Sequence, residues 1–524
     1  MVYINVLIWI ILSFLINKES FMGSSYILVV LGIILAKGIG FFRNIAFSGI
    51  FEQSVEADIY FQVFNIVNLI FAGIGVALST LVIKNMNKAE NQGNEKAYVS
   101  AFLRKSFLLM TAVAACIALL AKPLIKFLLL PDLAPEHLGL AVKLMHIMCP
   151  SLVFIVIAYI ISGVLQNEKV FFITSIMSLP FNAVIISALY IPGVSIVTIG
   201  IVTTIGWFLH IAILLPSFYK KGYRLAKANT NKFKAKDKNS ELIWIFISNM
   251  MFQLCFYIDR AFLSGTEGTI ATLSYASDLF VIIASIFVVA MSTVFFPSIS
   301  KNYEEGNIDY INKTLRYMIT VMTAIFIPFL LVMGLFGYNI IDLIYDFTPE
   351  ATGAVSTLLF ICCLGIFGYI TQELFNKILY TAGRYSYCVA GTIGVIVLNL
   401  ISNSVIKRFV PDTAFFGTGV TTRTFFIALS SSVLMLFYAI LISFAIKKIV
   451  GSYWKRDLIT DILKIVLCSL AAFGTYLIFS FFTPWLVSGT TTFIIPVLAC
   501  GCVYIAALYI TGVLKVLLKK KGNV

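Results

Sequence analysis

Lys37 and Arg43 stand six residues apart in one long apolar stretch, Ser25 to Ile50, with Gly38 and Gly40 between them. Cations at membrane depth are costly, so those that are retained tend to face a polar cavity and handle a charged partner. Two basic groups in one such stretch would engage an anion. On an ideal helix six positions turn through about 600°, or about 240° around the axis, so an unbroken helix points the two side chains to different faces. Gly38 and Gly40 are therefore read as a hinge. A bend there would let both cations line one cavity, and interrupted helices are where transporters build ligand sites. The alternative is that the two glycines serve close helix packing and Arg43 reaches for the outer surface.

A second set of charges lies further along the chain. Arg260 sits in an apolar run beside Asp259, and the segment from Arg260 to Gly265 echoes Arg43 to Gly49. A cation from each half, facing a shared cavity, suits an anion with two charged groups, because guanidinium groups grip oxyanions through paired hydrogen bonds. Lys37, Arg43, Arg260 and Asp58 form the substrate-binding set, although a carboxylate such as Asp58 or Asp278 more ordinarily serves a helix end. Glu373 and Lys377 have the spacing of an interfacial ion pair, and Lys464 that of a snorkelling lysine. Asn399 and Asn403 are spaced to share a helix face, and Thr418, Thr421 and Thr422 follow beside Gly417 and Gly419. With a carboxylate from Asp259, those amide and hydroxyl oxygens make a candidate hard-cation site. Ordinary hydrogen bonding between helices is the competing reading.

The elements that must position these residues follow from composition. Of 524 residues, 60% are hydrophobic and only 12% charged, and mean hydropathy is +0.99. Such a chain is an all-α polytopic membrane protein rather than a soluble one. The net charge of +14 sits in short loops between apolar runs and forms no nucleic-acid-binding motif. The basic residues gather on one side of the spans, which places the C-terminus and the 220–240 linker in the cytoplasm. That basic linker reads as a solvated connector which also attracts anionic lipid heads. Nine cysteines lie mostly within apolar runs and show no metal or disulfide spacing.

A window of about 19 residues gives fourteen spans between residues 26 and 514. They divide into an extra N-terminal apolar segment at 1–23, a first lobe at 24–219, the basic linker at 220–240, a second lobe at 241–446, and a final pair of spans with a basic tail at 447–524. Three internal matches support two pseudo-symmetric halves. Val76–Thr80 recurs at Val289–Thr293, Arg43–Gly49 at Arg260–Gly265, and Ile199–Thr204 at Gly417–Thr422, all offset by 213 to 218 residues. An even number of spans fits that offset, so the halves enter the membrane in the same direction. Parallel repeats of this kind are a transporter architecture, with the substrate site expected near the midplane.

Several stretches resemble the MurJ/MviN lipid II flippases, within the MATE-like multidrug/oligosaccharidyl-lipid/polysaccharide exporter superfamily. Lys37-Gly38-Ile39-Gly40-Phe41-Phe42-Arg43-Asn44, then Ala57-Asp58 and the run Asn68 to Thr80, are similar to that family's opening two helices. Tyr275-Ala276-Ser277-Asp278 through Phe296-Pro297-Ser298 resembles its eighth helix, and Leu379-Tyr380-Thr381-Ala382-Gly383 the stretch after its tenth. The resemblance implies fourteen helices in two bundles in the bacterial cytoplasmic membrane. It also implies export of an undecaprenyl-diphosphate-linked cell-wall precursor by alternating access, alongside the cell-wall synthesis machinery. Lys37 and Arg43 match two basic family positions and Asp58 an acidic one. Phe71 and Leu279 stand where two further family arginines are expected, a departure for which Arg260 could compensate. Some family members bind sodium between helices seven, eleven and twelve, near which Asp259, Asn399, Asn403 and Thr421 fall.

A flippase for polysaccharide repeats would share these features. A multidrug cation antiporter would want an acidic cavity, which Lys37 and Arg43 oppose. A membrane-embedded enzyme would need a cluster of catalytic groups on a sizeable loop, and His137, His146 and His210 are scattered. The sequence therefore predicts a transporter without enzymatic chemistry, carrying a polyprenyl-diphosphate-linked glycan among membrane lipids and binding no nucleic acid.

Overall fold

A computed structural model describes residues 24–70, 82, 86, 95–224, 244, 247–248, 251–415, 417–488 and 492–517. The expected segment 1–23, most of the basic linker, the Val76–Thr80 repeat, Phe71 and the last residues of the tail lie outside them. The described chain is helical, with a lone β-bridge between Ala414 and Thr421. In hydrocarbon every backbone N–H and C=O must be satisfied within the protein, and a helix does this locally. The helices are α1 Ser24–Phe51, α2 Val55–Ile70, α3 Glu95–Leu119, α4 Leu138–Met148, α5 Ser151–Asn167, α6 Leu179–Leu189, α7 Ile196–Lys220 and α8 Met251–Phe262. They continue as α9 Thr269–Glu304, α10 Ile308–Ile344, α11 Pro349–Leu364, α12 Ile366–Thr381, α13 Tyr385–Phe409, α14 Thr422–Val450, α15 Arg456–Phe482 and α16 Ile494–Ile510. A described helix lies at every position where the hydropathy of the sequence calls for a span. Among the described residues, eight spans pass on length and apolarity, or nine when α11 and α12 count as one.

Local chemistry sets the helix ends. Ser195, Asn307, Thr348 and Thr421 each precede a helix and accept a backbone N–H from three residues on, which satisfies one of the orphan donors at a helix start. Pro150 separates α4 from α5, because a proline nitrogen has no hydrogen to give to the ladder. Helices α11 and α12 meet at Gly365 with a bend of 40°. The Ile361 carbonyl at that break accepts the Ser432 hydroxyl of α14 at 2.7 Å. A Cβ on Gly368 would lie 2.8 Å from the Leu436 backbone nitrogen, so glycine is what lets α12 press onto α14.

The chain forms two compact units, Ser20–Ser274 and a second that takes in Tyr275–Val524. The sequence places its lobe boundary at the basic linker. Helix α8, assigned from sequence to the second lobe, belongs with the first unit, and the division falls inside α9. A buried carboxylate joins elements within the first unit. Asp58, 5% exposed at the start of α2, accepts the backbone N–H of Gly268 at 2.8 Å and of Ala271 at 2.6 Å. It thereby caps α9 from another helix and fastens the α8–α9 turn to α2. In the second unit, α10, α15 and α16 share a core of Ala324, Ile465, Cys468, Ala472, Cys500, Tyr504 and Leu508. There the Tyr504 hydroxyl donates to the Ala324 carbonyl at 2.7 Å.

Candidate functional site

Helix α1 runs through Gly38 and Gly40 as one continuous helical element. Lys37 and Arg43, six positions apart on it, differ in their surroundings. Lys37 is exposed, whereas Arg43 is half-buried and turned inward. The glycines have a packing consequence. A Cβ on Gly40 would stand 3.7 Å from the Asn182 amide on α6, an ordinary contact, so Gly40 marks where α1 approaches α6.

Arg43 lies between two aromatic faces. Its guanidinium carbon is 5.6 Å from the ring centroid of Phe64 on α2 and 5.5 Å from that of Phe181 on α6. Its Nε and Nη2 donate to Asn44 Oδ1 at 3.2 and 2.7 Å. Nη1 has no partner among the described residues, and no described carboxylate lies within ion-pair range of the group. A guanidinium held by ring quadrupoles and a neutral amide keeps its full charge for an incoming anion.

Further rings of the same unit back the cage. Phe181 packs 4.6 Å from Trp207 on α7, and His210, one turn later, sits 4.7 Å from Trp207 and 5.5 Å from Phe181. Gly206 makes this possible, since a Cβ there would come within 2.7 Å of the Phe181 ring and 3.3 Å of its Cα. Tyr60 stacks on Phe64 at 5.6 Å, and its hydroxyl meets the Thr203 hydroxyl at 3.0 Å, which joins α2 to α7. Sequence reasoning found Arg43 and passed over Phe64, Phe181, Asn182 and Trp207. Aromatic residues in an apolar run carry no mark of which one faces a cation.

The remaining sequence candidates fall elsewhere. Arg260 is 5% exposed, and its Nε donates to Ser274 on α9 at 3.0 Å, while Asp259 is fully buried. Leu279, at a position where a family arginine was expected, is buried. The polar pair on α13 binds α14, with Asn399 Nδ2 donating to Ser431 at 2.9 Å and Asn403 Oδ1 accepting from Ser430 at 3.2 Å. Thr421 caps α14, nine residues before Ser430 and so about 13 Å away along the helix. These threonine and asparagine side chains do not share one ion's coordination shell. Among the described residues no three His, Cys, Asp or Glu side chains cluster as a metal site.

The internal matches also divide on inspection. Ile199–Thr204 lies inside α7, whereas Gly417 to Thr421 is the loop before α14, with positive φ at Gly417 and Gly419. That pair is a likeness of composition and not of position.

Comparison with known proteins agrees with this architecture. A family model described as lipid II flippase MurJ matches residues 47–496. A probable lipid II flippase MurJ of Treponema pallidum is 23% identical over 496 residues, covering 90% of this chain and 91% of the relative. One from Buchnera aphidicola is 23% identical over 396 residues, covering 71% and 75%. Among solved structures, a lipid II flippase MurJ in an inward closed conformation aligns with a TM-score of 0.75 at 22% identity, over 92% of this chain and 98% of that one. An inward-facing multidrug resistance MATE family transporter of the MOP superfamily aligns with a TM-score of 0.63 at 15% identity, over 81% and 98%. The chain is thus a multi-pass membrane protein that belongs to the lipid II flippase MurJ family.

Proposed function

We propose that this protein exports lipid II across the bacterial cytoplasmic membrane by alternating access, with Arg43 as a contact for the diphosphate that joins the glycan to its lipid. The observation that carries the reading is the state of Arg43. Its charge is held between Phe64 and Phe181 with no described carboxylate to neutralise it, and one guanidinium nitrogen is open to an oxyanion. A phosphate oxygen there would gain charge-assisted bonds that no structural neighbour supplies.

The rest of the translocation cycle follows from physics. A glycan head with two phosphate charges cannot cross hydrocarbon unaccompanied, whereas its polyprenyl tail is at home there. The protein needs only to shelter the head while the tail stays in lipid. An inside-negative potential of about 100 mV contributes about 2.3 kcal/mol per charge moved outward, which favours export of an anion. The basic tail stays cytoplasmic in this scheme, and peptidoglycan synthesis enzymes act on either side of the step. Lys37, exposed on another face of α1, is a second basic group that the head meets separately from Arg43. Arg260, Asp58 and Asp259 hold the unit together.

The test is rescue of a bacterial host depleted of its own lipid II flippase. Wild type is expected to restore growth, and Arg43→Ala, expressed to the same level, is not. Full rescue by Arg43→Ala would remove Arg43 from the substrate path.

A further inference from the structure

His210 is 2% exposed, and neither ring nitrogen has a hydrogen-bond partner among the described residues. A neutral imidazole carries one donor and one acceptor, and burying both unmatched is costly. The Asn182 amide oxygen, on the helix that also carries Phe181, is likewise buried without a partner. What His210 does have is aromatic contact. Trp207 and Phe181 meet the imidazole at interplanar angles of 68° and 71°. The π face of either ring would attract an imidazolium edge directed at it, because a positive charge is drawn to the negative face of the quadrupole. Phe181 is the same ring on which Arg43 rests.

We propose that His210 is a proton-binding site of this unit, and that the Phe181 ring it shares with Arg43 couples proton uptake to anion binding. The proposal rests on Arg43 being an anion contact. With Arg43 uncompensated, a proton on His210 would place a second cation near the same ring, which like-charge repulsion opposes. An anion seated at Arg43 cancels that repulsion and lets the imidazole take its proton. By reciprocity, a proton on His210 strengthens anion binding by the same factor.

Other titratable groups do not compete for the role. Helix α6 and the short helix Phe171–Ser175 carry none. On α5 there is Tyr159. On α4, Lys143 and His146 are exposed, and on α2, Glu56 is exposed, Asp58 is held by two backbone amides and Tyr60 is bonded to Thr203. Helix α7 itself adds Tyr219 and Lys220, more than two turns beyond His210. On α1, Lys37 points to another face, which leaves Arg43 as the charge that shares a ring with His210.

The experiment uses the whole protein in lipid nanodiscs with undecaprenyl diphosphate as the probe. Affinity is measured between about pH 8 and about pH 5.5, the range over which histidine charges. Wild type is expected to bind about tenfold tighter on acidification than His210→Phe does, with the two alike at the alkaline end. The diphosphate's own titration is common to both and cancels in that comparison. A variant-free measurement guards against misfolding, because the chain has three histidines and the other two lie outside the cage. By NMR of labelled imidazoles, the titration midpoint of the buried ring should move up when the probe is added. Equal pH profiles for wild type and His210→Phe, or an unmoved midpoint on binding, overturn the proposal while leaving Arg43 in place. Absence of binding by wild type at any pH removes the anion site and the proposal together.

Discussion

Arg43 and Arg260 occupy matching places in the repeated sequence, yet the fold treats them in opposite ways. Arg43 is half-buried, faces two rings and keeps one nitrogen open. Arg260 is 5% exposed and bonded to Ser274. The difference teaches that a charge at membrane depth is not in itself a site. A buried guanidinium bonded to the next helix fastens helices, whereas a half-buried one set between aromatic faces with a nitrogen unbonded among the described residues stays available. Asp58 makes the same point among the acids, since two backbone amides occupy its carboxylate.

Substitutions can break or sharpen that contrast. Arg260→Ala should act on stability, lowering it by about 2–3 kcal/mol through a lost charged hydrogen bond and a buried cavity. Denaturation in detergent would measure this, and transport per folded molecule should survive. A stable but inactive Arg260→Ala would place both arginines in the substrate path. Phe64→Leu removes one of the two faces that hold Arg43 and should cost about 1 kcal/mol of anion affinity, roughly fivefold. Titration of undecaprenyl diphosphate would read it, and unchanged affinity would make the aromatic cage incidental. The smallest effects belong to Gly38→Ala and Gly40→Ala. A Cβ at Gly38 meets nothing within 4 Å and one at Gly40 makes only ordinary contact, so helix propensity improves and transport should stay within about twofold. Loss of transport in both variants would establish the hinge.

Much of the fold was legible because lipid leaves a chain few choices. Apolar runs of span length became helices at the expected positions. The site was legible only in part. Lys37 and Arg43 stood out as costly charges, but their spacing did not show that Lys37 is exposed while Arg43 is half-buried between two rings. The cage was invisible for a different reason. Among 46 phenylalanines, only the approach of α6 to α1 and α7 selects Phe181, and periodicity cannot encode which helices meet. His210 was set aside because no other ligand lay near it in sequence, although its neighbours come from α6 and from its own preceding turn. The bonds of Asp58 to Gly268 and Ala271, which tie the α8–α9 turn to α2, had no sign in the sequence because their partners lie about 210 residues away.

The most direct test of the central claim is lipid II translocation in proteoliposomes under an inside-negative potential, comparing wild type with Arg43→Ala at matched folded protein. Losing about 3 kcal/mol of charge-assisted contact should slow translocation on the order of a hundredfold, with thermal stability nearly unchanged. Translocation by Arg43→Ala at the wild-type rate would contradict the account.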